Sequence, residues 1–136
     1  MSRDDYYYTI VKAALEAAGW TIFEDPLRLK IEKLFFQIDL ACRRNGDGKT
    51  EEIAVEIKSF LKESFITDFY HVRGQYLTYR DVLDITEYAH VKLYVALPEL
   101  VYKKNWTIPF IDKIRQKDGI GLILFNDKNQ ITQWLH

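Results

Sequence analysis

The sequence predicts an α/β domain of the α+β kind, a mixed central sheet flanked by helices. Two segments with apolar residues at helical spacing, Asp4–Ala18 and Thr67–Leu83, bracket a pair of strand-like segments joined by Asn45-Gly46-Asp47-Gly48. Strands and one further helix then alternate to the end, an order that packs helices onto a sheet. A length of 136 residues leaves room for one core, so the reading is a single domain over 1–136.

In the first helix Tyr7, Ile10, Val11, Ala14 and Ala17 recur at helical spacing, and Gly19 supplies the stop. Trp20–Glu24 reads as a short strand closed by Asp25-Pro26. Phe35–Arg44 reads as the second strand, with Ile38, Leu40 and Cys42 on one side. Asn-Gly and Asp-Gly both favour the primed turns whose twist matches a hairpin. Glu52–Ser59 returns as the third strand, with Ile53, Val55 and Ile57 toward the core. Thr67 is placed to cap the long helix, whose stripe is Phe69, Val72, Tyr76, Tyr79 and Leu83. Val91–Leu97 reads as a buried strand, Pro109–Lys117 as a helix, and Leu122–Phe125 and Ile131–Leu135 as strands. The predicted order is α-β-β-β-α-β-α-β-β.

Apolar residues make up 48% and aromatics 15%, and with a net charge of −1 this excludes a disordered chain. The single cysteine, Cys42, excludes an internal disulfide framework and suits a reducing cytosol. The longest apolar run, Gly119–Phe125, is far short of the ~20 residues that cross a bilayer. Met-Ser-Arg-Asp-Asp-Tyr lacks the apolar stretch of a secretory leader. The expectation is a cytoplasmic protein with no membrane association. Nineteen Lys and Arg against twenty Asp and Glu argue against tight, nonspecific binding to nucleic acid, because phosphate neutralisation supplies most of that affinity. A local basic strip beside an acidic metal site remains compatible with that balance.

The hairpin carries the chemistry. A turn on Asp47-Gly48 sets Ile38 opposite Ile57, Leu40 opposite Val55, and Cys42 opposite Ile53, a wholly apolar face. On the other face Asp39 lies opposite Glu56 and Gln37 opposite Lys58. Ionised carboxylates about 5 Å apart repel by ~3 kcal/mol at an effective dielectric of ~20. A cation between them, or a proton on one, relieves this. Lys58 shares the face with Glu56. Two carboxylates and a lysine suit metal-assisted phosphodiester hydrolysis: Asp39 and Glu56 as hard oxygen ligands for Mg²⁺ (or Mn²⁺), Lys58 orienting the nucleophile or meeting developing charge. A turn on Asn45-Gly46 instead sets Asp39 opposite Glu52 but keeps Asp39, Glu56 and Lys58 on one face. The plainer alternative is a half-solvated sheet face on which Lys58 pairs with a carboxylate.

Several blocks are distinctive: Val11-Lys12-x-Ala14-Leu15, Gly19-Trp20-Thr21-Ile22, Asp25-Pro26-Leu27, Ile38-Asp39-Leu40, Ile53-Ala54-Val55-Glu56-Ile57-Lys58-Ser59-Phe60, Gly74-Gln75-Tyr76-x-x-Tyr79-Arg80-x-x-Leu83 and Ile131-x-Gln133-Trp134. In these the chain resembles the XisH family, the cyanobacterial fdxN element excision controlling factors, over essentially its whole length. The resemblance implies a restriction-endonuclease-like αβββαβ core of the PD-(D/E)xK type. Asp39 then matches the first acidic residue of that motif, Glu56 and Lys58 its ExK, and Gln75 a glutamine on the following helix that borders the site in related nucleases. Ile38 stands where the motif has proline, as in many members of that superfamily. The resemblance also implies a place in DNA rearrangement during heterocyst development, with DNA and a small XisI-type protein as partners.

Glu16 and Asp25 are candidates to complete a metal shell, against the simpler reading as a solvated helix face and a turn residue. Lys30, Lys33, Arg43 and Arg44 are candidate phosphate contacts, against solvated strand flanks. His71, His90 and His136 lack zinc spacing. The chain has no phosphate loop of the G-x-x-x-x-G-K-[ST] form, and Ser59 and Ser64 have no hydrolase motif around them. Tyr6, Tyr7 and Tyr8 form a run suited to a partner surface, with Tyr7 also suited to the core. Three functions follow: a Mg²⁺-dependent DNA endonuclease in element excision, a catalytically silent accessory factor of the same fold, or a small homodimeric domain with incidental carboxylates.

Overall fold

The computed structural model describes residues 3–60 and 64–136; Met1 and Ser2, where the leader reading begins, lie outside them. Helix α1 (Arg3–Ala17) stops at Gly19, which takes a φ of 92°, a left-handed value that glycine adopts without strain. Strand β1 (Thr21–Glu24) leads through a cis Asp25–Pro26 bond into β2 (Leu27–Ile31) and β3 (Leu34–Ile38), a two-stranded ribbon. Then come β4 (Leu40–Gly46), β5 (Lys49–Ile57), α2 (Phe65–Asp84), β6 (Lys92–Pro98), the short α3 (Glu99–Val101) running into a π-helical turn at Tyr102–Trp106, α4 (Pro109–Asp118), β7 (Gly121–Phe125) and β8 (Ile131–Leu135).

Six strands form one mixed sheet in the order β1-β4-β5-β6-β7-β8. The central β5-β6-β7 run is parallel and the outer pairs are antiparallel. The fold class is therefore the predicted one, a mixed sheet flanked by helices. The β4–β5 turn is also the one expected on Asp47-Gly48: both residues have positive φ, 50° and 74°, as the primed turn requires. Leu40 faces Val55 and Cys42 faces Ile53, so the Asn45-Gly46 register is excluded.

Three expectations are corrected. Phe35–Arg44 is not one strand: the chain bends at Asp39 and the first half belongs to the ribbon, with Ile38 opposite Leu27 and Gln37 opposite Arg28. The expected Ile38–Ile57 and Gln37–Lys58 pairs therefore do not form. Ile38 lies in the core beneath α2, and Leu40 and Cys42 in the core beneath α1. Second, strand β2 and the α3–π segment add elements to the predicted order. Third, the cap of α2 is Ser64, whose hydroxyl accepts from the Thr67 backbone N–H at 3.4 Å; Thr67 is already helical.

Each face of the sheet has its own core. Ile10, Val11 and Leu15 of α1 pack on Leu40, Ile53, Val55, Ala96 and Ile123. The other face gathers Phe69, Val72, Tyr76 and Leu83 of α2, the inner side of the ribbon, and Trp106, which the π turn buries completely against Phe60, Phe65 and Phe69. Tyr76 ties α2 to the sheet. Its hydroxyl lies 2.9 Å from the Leu93 carbonyl and 3.1 Å from that of Gly119, and it accepts from Gly121 N–H at 3.1 Å. Arg80 donates to the Asp118 carbonyl and Arg73 to the Asp118 carboxylate, both at 2.6 Å. Tyr76→Phe should destabilise the fold by about 1–3 kcal/mol, because it leaves buried backbone groups unpaired, and a urea titration checks this.

Candidate functional site

Alternation along β5 sends Ile53 and Val55 to the α1 face and Ala54 to the α2 face, where Glu56 follows in the same register. The β4–β5 ladder ends at Leu40–Val55, because the chain departs into the ribbon at Asp39. Two carboxylates take over where ladder carbonyls would have accepted. The Asp39 backbone N–H donates to Glu56 Oε1 at 3.1 Å, and the Ile57 N–H donates to Asp39 Oδ2 at 2.8 Å. Lys58, whose own N–H extends the parallel ladder to the Ala96 carbonyl at 2.9 Å, holds its Nζ 3.6 Å from Glu56 Oε2. Asp39, Glu56 and Lys58 are thus brought together at the C-terminal end of β5.

Glu56 is 9% exposed, and burial is the largest of the influences that raise its pKa to about 7. The Asp39 charge raises it further, and Lys58 opposes the shift. The two carboxyls are close enough to share a hydrogen bond, which favours one proton between them. A divalent cation placed on the pair would satisfy the same charge in place of that proton. The oxygen donors fit Mg²⁺ or Mn²⁺, with water filling the remaining positions. No group of three or more His, Cys, Asp or Glu able to hold a metal occurs among the described residues.

Helix α2 covers the pair. Gln75 and Tyr79, one turn apart, line a narrow crevice with Glu56, Lys58 and Val72. Gln75 Oε1 is buried and has no hydrogen-bond partner, an acceptor left open beside the carboxylates. Tyr79 has its pKa raised by burial and by the charges of Glu56 and Asp39. The sequence shows Tyr79 only as part of the apolar stripe; its spacing of four from Gln75 is the signal for a place at the site. A wider cleft runs from Lys58 and Ser59 past Ser64, Asp68 and His71 to Gln75. A third opening exposes Asp39 and Glu56 between Ile57 and the half-buried Tyr7 and Tyr8 of α1.

The other candidates lie elsewhere. Asp25 is held by Lys12 at 2.7 Å, and with Glu16 it sits near Cys42, whose thiol is pushed up to about 12 chiefly by burial. Arg43 pairs with Glu52 at 2.7 Å and Arg44 with Glu51 at 3.2 Å, each also covering an aromatic ring. Lys30 and Lys33 belong to the ribbon. Of the histidines, His90 pairs with Glu52 and His136 with the Tyr94 hydroxyl, while His71 lines the wide cleft. Among the described residues no helix is long and apolar enough to cross a membrane.

The family model described as "XisH protein" matches residues 1–132. The chain belongs to the XisH family. Two solved structures agree with it closely. A XisH family protein from Nostoc punctiforme PCC 73102 is 31% identical, with a TM-score of 0.88 over 97% of this chain and 100% of that one. An fdxN element excision controlling factor protein from Anabaena variabilis is 31% identical, with a TM-score of 0.87 over 97% and 99%. No curated protein matches the chain. In this XisH chain Glu56, Lys58, Gln75, Tyr76 and Tyr79, all from the blocks that carry the family resemblance, line the crevice, and Tyr76 and Arg80 also clamp the fold.

The raised pKa of Glu56 has a sign. A group that binds its proton more tightly when folded adds stability that is complete below the unfolded glutamate value, ~4.3, and is lost as pH rises through about 7. Over that window the metal-free protein should lose on the order of 3 kcal/mol from this group. Melting midpoints of Glu56→Gln should fall less between about pH 5 and 8 than those of the wild type. An unchanged slope would place the titration on another residue.

Proposed function

We propose that this chain is a divalent-metal-dependent phosphodiester hydrolase of the restriction-endonuclease-like, PD-(D/E)xK type, acting on DNA in element excision. The observation that carries the reading is the reciprocal lock of Asp39 and Glu56, with Lys58 just past the end of β5, which holds two carboxylates together at the end of a parallel strand. The similarity to an fdxN element excision controlling factor protein from Anabaena variabilis supports the biological setting.

Asp39 and Glu56 would hold Mg²⁺ or Mn²⁺, which when bound supplies Lewis-acid polarisation of the phosphate and an acidified water. The chain's own groups do the rest. Asp39, fixed by the Ile57 N–H, presents its carboxylate toward solvent at the opening beside Tyr7 and Tyr8. Lys58 stands where its ammonium orients the water and offsets charge growing on the phosphate oxygens. Gln75 offers its open carbonyl oxygen as an acceptor for that water. In the hydrolysis the water oxygen bonds to phosphorus, one P–O ester bond breaks, and the leaving oxygen takes up a proton.

A second reading keeps the fold without catalysis, as an accessory factor that binds a XisI-type partner or a recombinase. It is favoured by the pairing of Lys58 with Glu56, which already offsets charge without metal. One pair of experiments separates the two. Mg²⁺ or Mn²⁺ at ~100 times its Kd should stabilise the wild type by about 2.7 kcal/mol, read as a raised melting midpoint, and Asp39→Asn should abolish that response. Asp39→Asn and Lys58→Ala should each lower cleavage of duplex DNA at least ~100-fold. A flat metal titration with no cleavage assigns the accessory role.

A further inference from the structure

The β2–β3 ribbon has two unlike faces. Leu27, Leu29 and Ile38 are buried in the core beneath α2, with Ile31 and Phe36 packed beside them. The register puts Arg28 opposite Gln37 and Lys30 opposite Phe35 on the other face, and all four are exposed. Phe35 keeps 77% of its surface in solvent, with the Lys30 ammonium 5.3 Å from the ring centroid. Lys33 adds a cation at the turn, and residues 27–38 hold one carboxylate, Glu32, against these three cations. Neither Arg28 nor Lys33 has an ion-pair partner among the described residues.

A chain close to neutral overall has gathered basic side chains around an exposed aromatic ring on a ribbon anchored by its opposite face. A two-stranded ribbon is a body the DNA major groove admits, and charge of this sign complements phosphate. Neighbouring Arg and Gln side chains are suited to bidentate contacts with base edges, and an exposed ring to a thymine methyl. The ribbon also runs directly into the site. Phe35 stands four residues before Asp39, at most ~13 Å along an extended strand, which is about four base pairs of duplex.

We propose that the β2–β3 ribbon is a duplex-DNA docking element that enters the major groove beside the carboxylate pair, with Arg28, Lys30, Phe35 and Gln37 as its contact face. It rests on the proposed function only for DNA as the substrate. The test is fluorescence anisotropy of a labelled DNA duplex in EDTA, where no cleavage occurs, so that binding is read independently of catalysis. The double variant Arg28→Glu/Lys30→Glu should bind at least tenfold more weakly and reduce the slope of log affinity against log salt by about two. Phe35→Ala should lose roughly fivefold. Both should melt as the wild type does, because these side chains lie in solvent. Asp39→Asn should retain binding, so failure of the catalytic reading leaves this result standing. The proposal is overturned if the wild type binds no duplex, or if the charge-reversed protein binds with wild-type affinity and salt slope. It is also overturned if Phe35→Ala leaves DNA binding intact and instead alters self-association in sedimentation, which would make the ribbon a protein contact.

Discussion

The candidate site depends on one exchange of hydrogen bonds, in which the Asp39 backbone N–H donates to the Glu56 carboxylate and the Ile57 N–H donates to the Asp39 carboxylate. At that point the chain must leave the main sheet for the ribbon, and a strand that leaves a sheet strands backbone donors on its neighbour and itself. Buried donors without partners cost about 1–3 kcal/mol each, so the departure needs acceptors. The two carboxylates supply them, Glu56 to the Asp39 N–H and Asp39 to the Ile57 N–H. The structural repair and the candidate site are therefore the same atoms. This also explains why two acidic groups are tolerated in contact at a buried position: each is stabilised by a backbone dipole, and the residual repulsion is met by Lys58 and by a proton on the pair.

The central hairpin was readable because its turn chemistry is strong. Asp47-Gly48 fixes the register, the register fixes parity, and parity puts Glu56 and Lys58 on one face. The ribbon was not readable, because Leu27-Arg-Leu-Lys-Ile31 alternates over only five residues and its turn, Glu32-Lys33, lacks the glycine or asparagine that announces a hairpin. Without β2 as a partner, Phe35–Ile38 merged naturally with the strand that follows. The bend at Asp39 has no glycine or proline to mark it either. The side-chain interaction that accommodates it spans seventeen residues, which no local pattern contains. The cap of α2 was missed by three residues for a similar reason: Ser64 and Thr67 are chemically alike as caps, and only the path of the chain chooses between them.

The sheet explains where the openings fall. β5, β6 and β7 run parallel, so their C-terminal ends meet at one edge, and crevices in such sheets open beyond those ends. Lys58, just past the end of β5, lines all three openings described above, with α1 bounding one and α2 the other two. A ligand that spans them reaches the carboxylates from the tyrosine side and Gln75 from the helix side. The near-neutral overall charge then matters less than its placement. The guanidinium groups of Arg43 and Arg44 are taken up by glutamates and aromatic rings. The ribbon's outer face keeps its cations in solvent.

Helix α2 performs two tasks on interleaved positions. Gln75 and Tyr79 line the crevice, Arg73 and Arg80 fasten the helix to Asp118 at the end of α4, and Tyr76 does both, lining the crevice while its hydroxyl bonds the Leu93 carbonyl and accepts from the Gly121 N–H. Neighbouring positions on a helix differ by about 100° of rotation. An inserted or deleted residue between Gly74 and Arg80 would swing one set out of place whichever set the protein kept. This stretch can therefore exchange side chains over time but cannot change its length, and the spacing of its residues is fixed by geometry from both ends of the molecule at once.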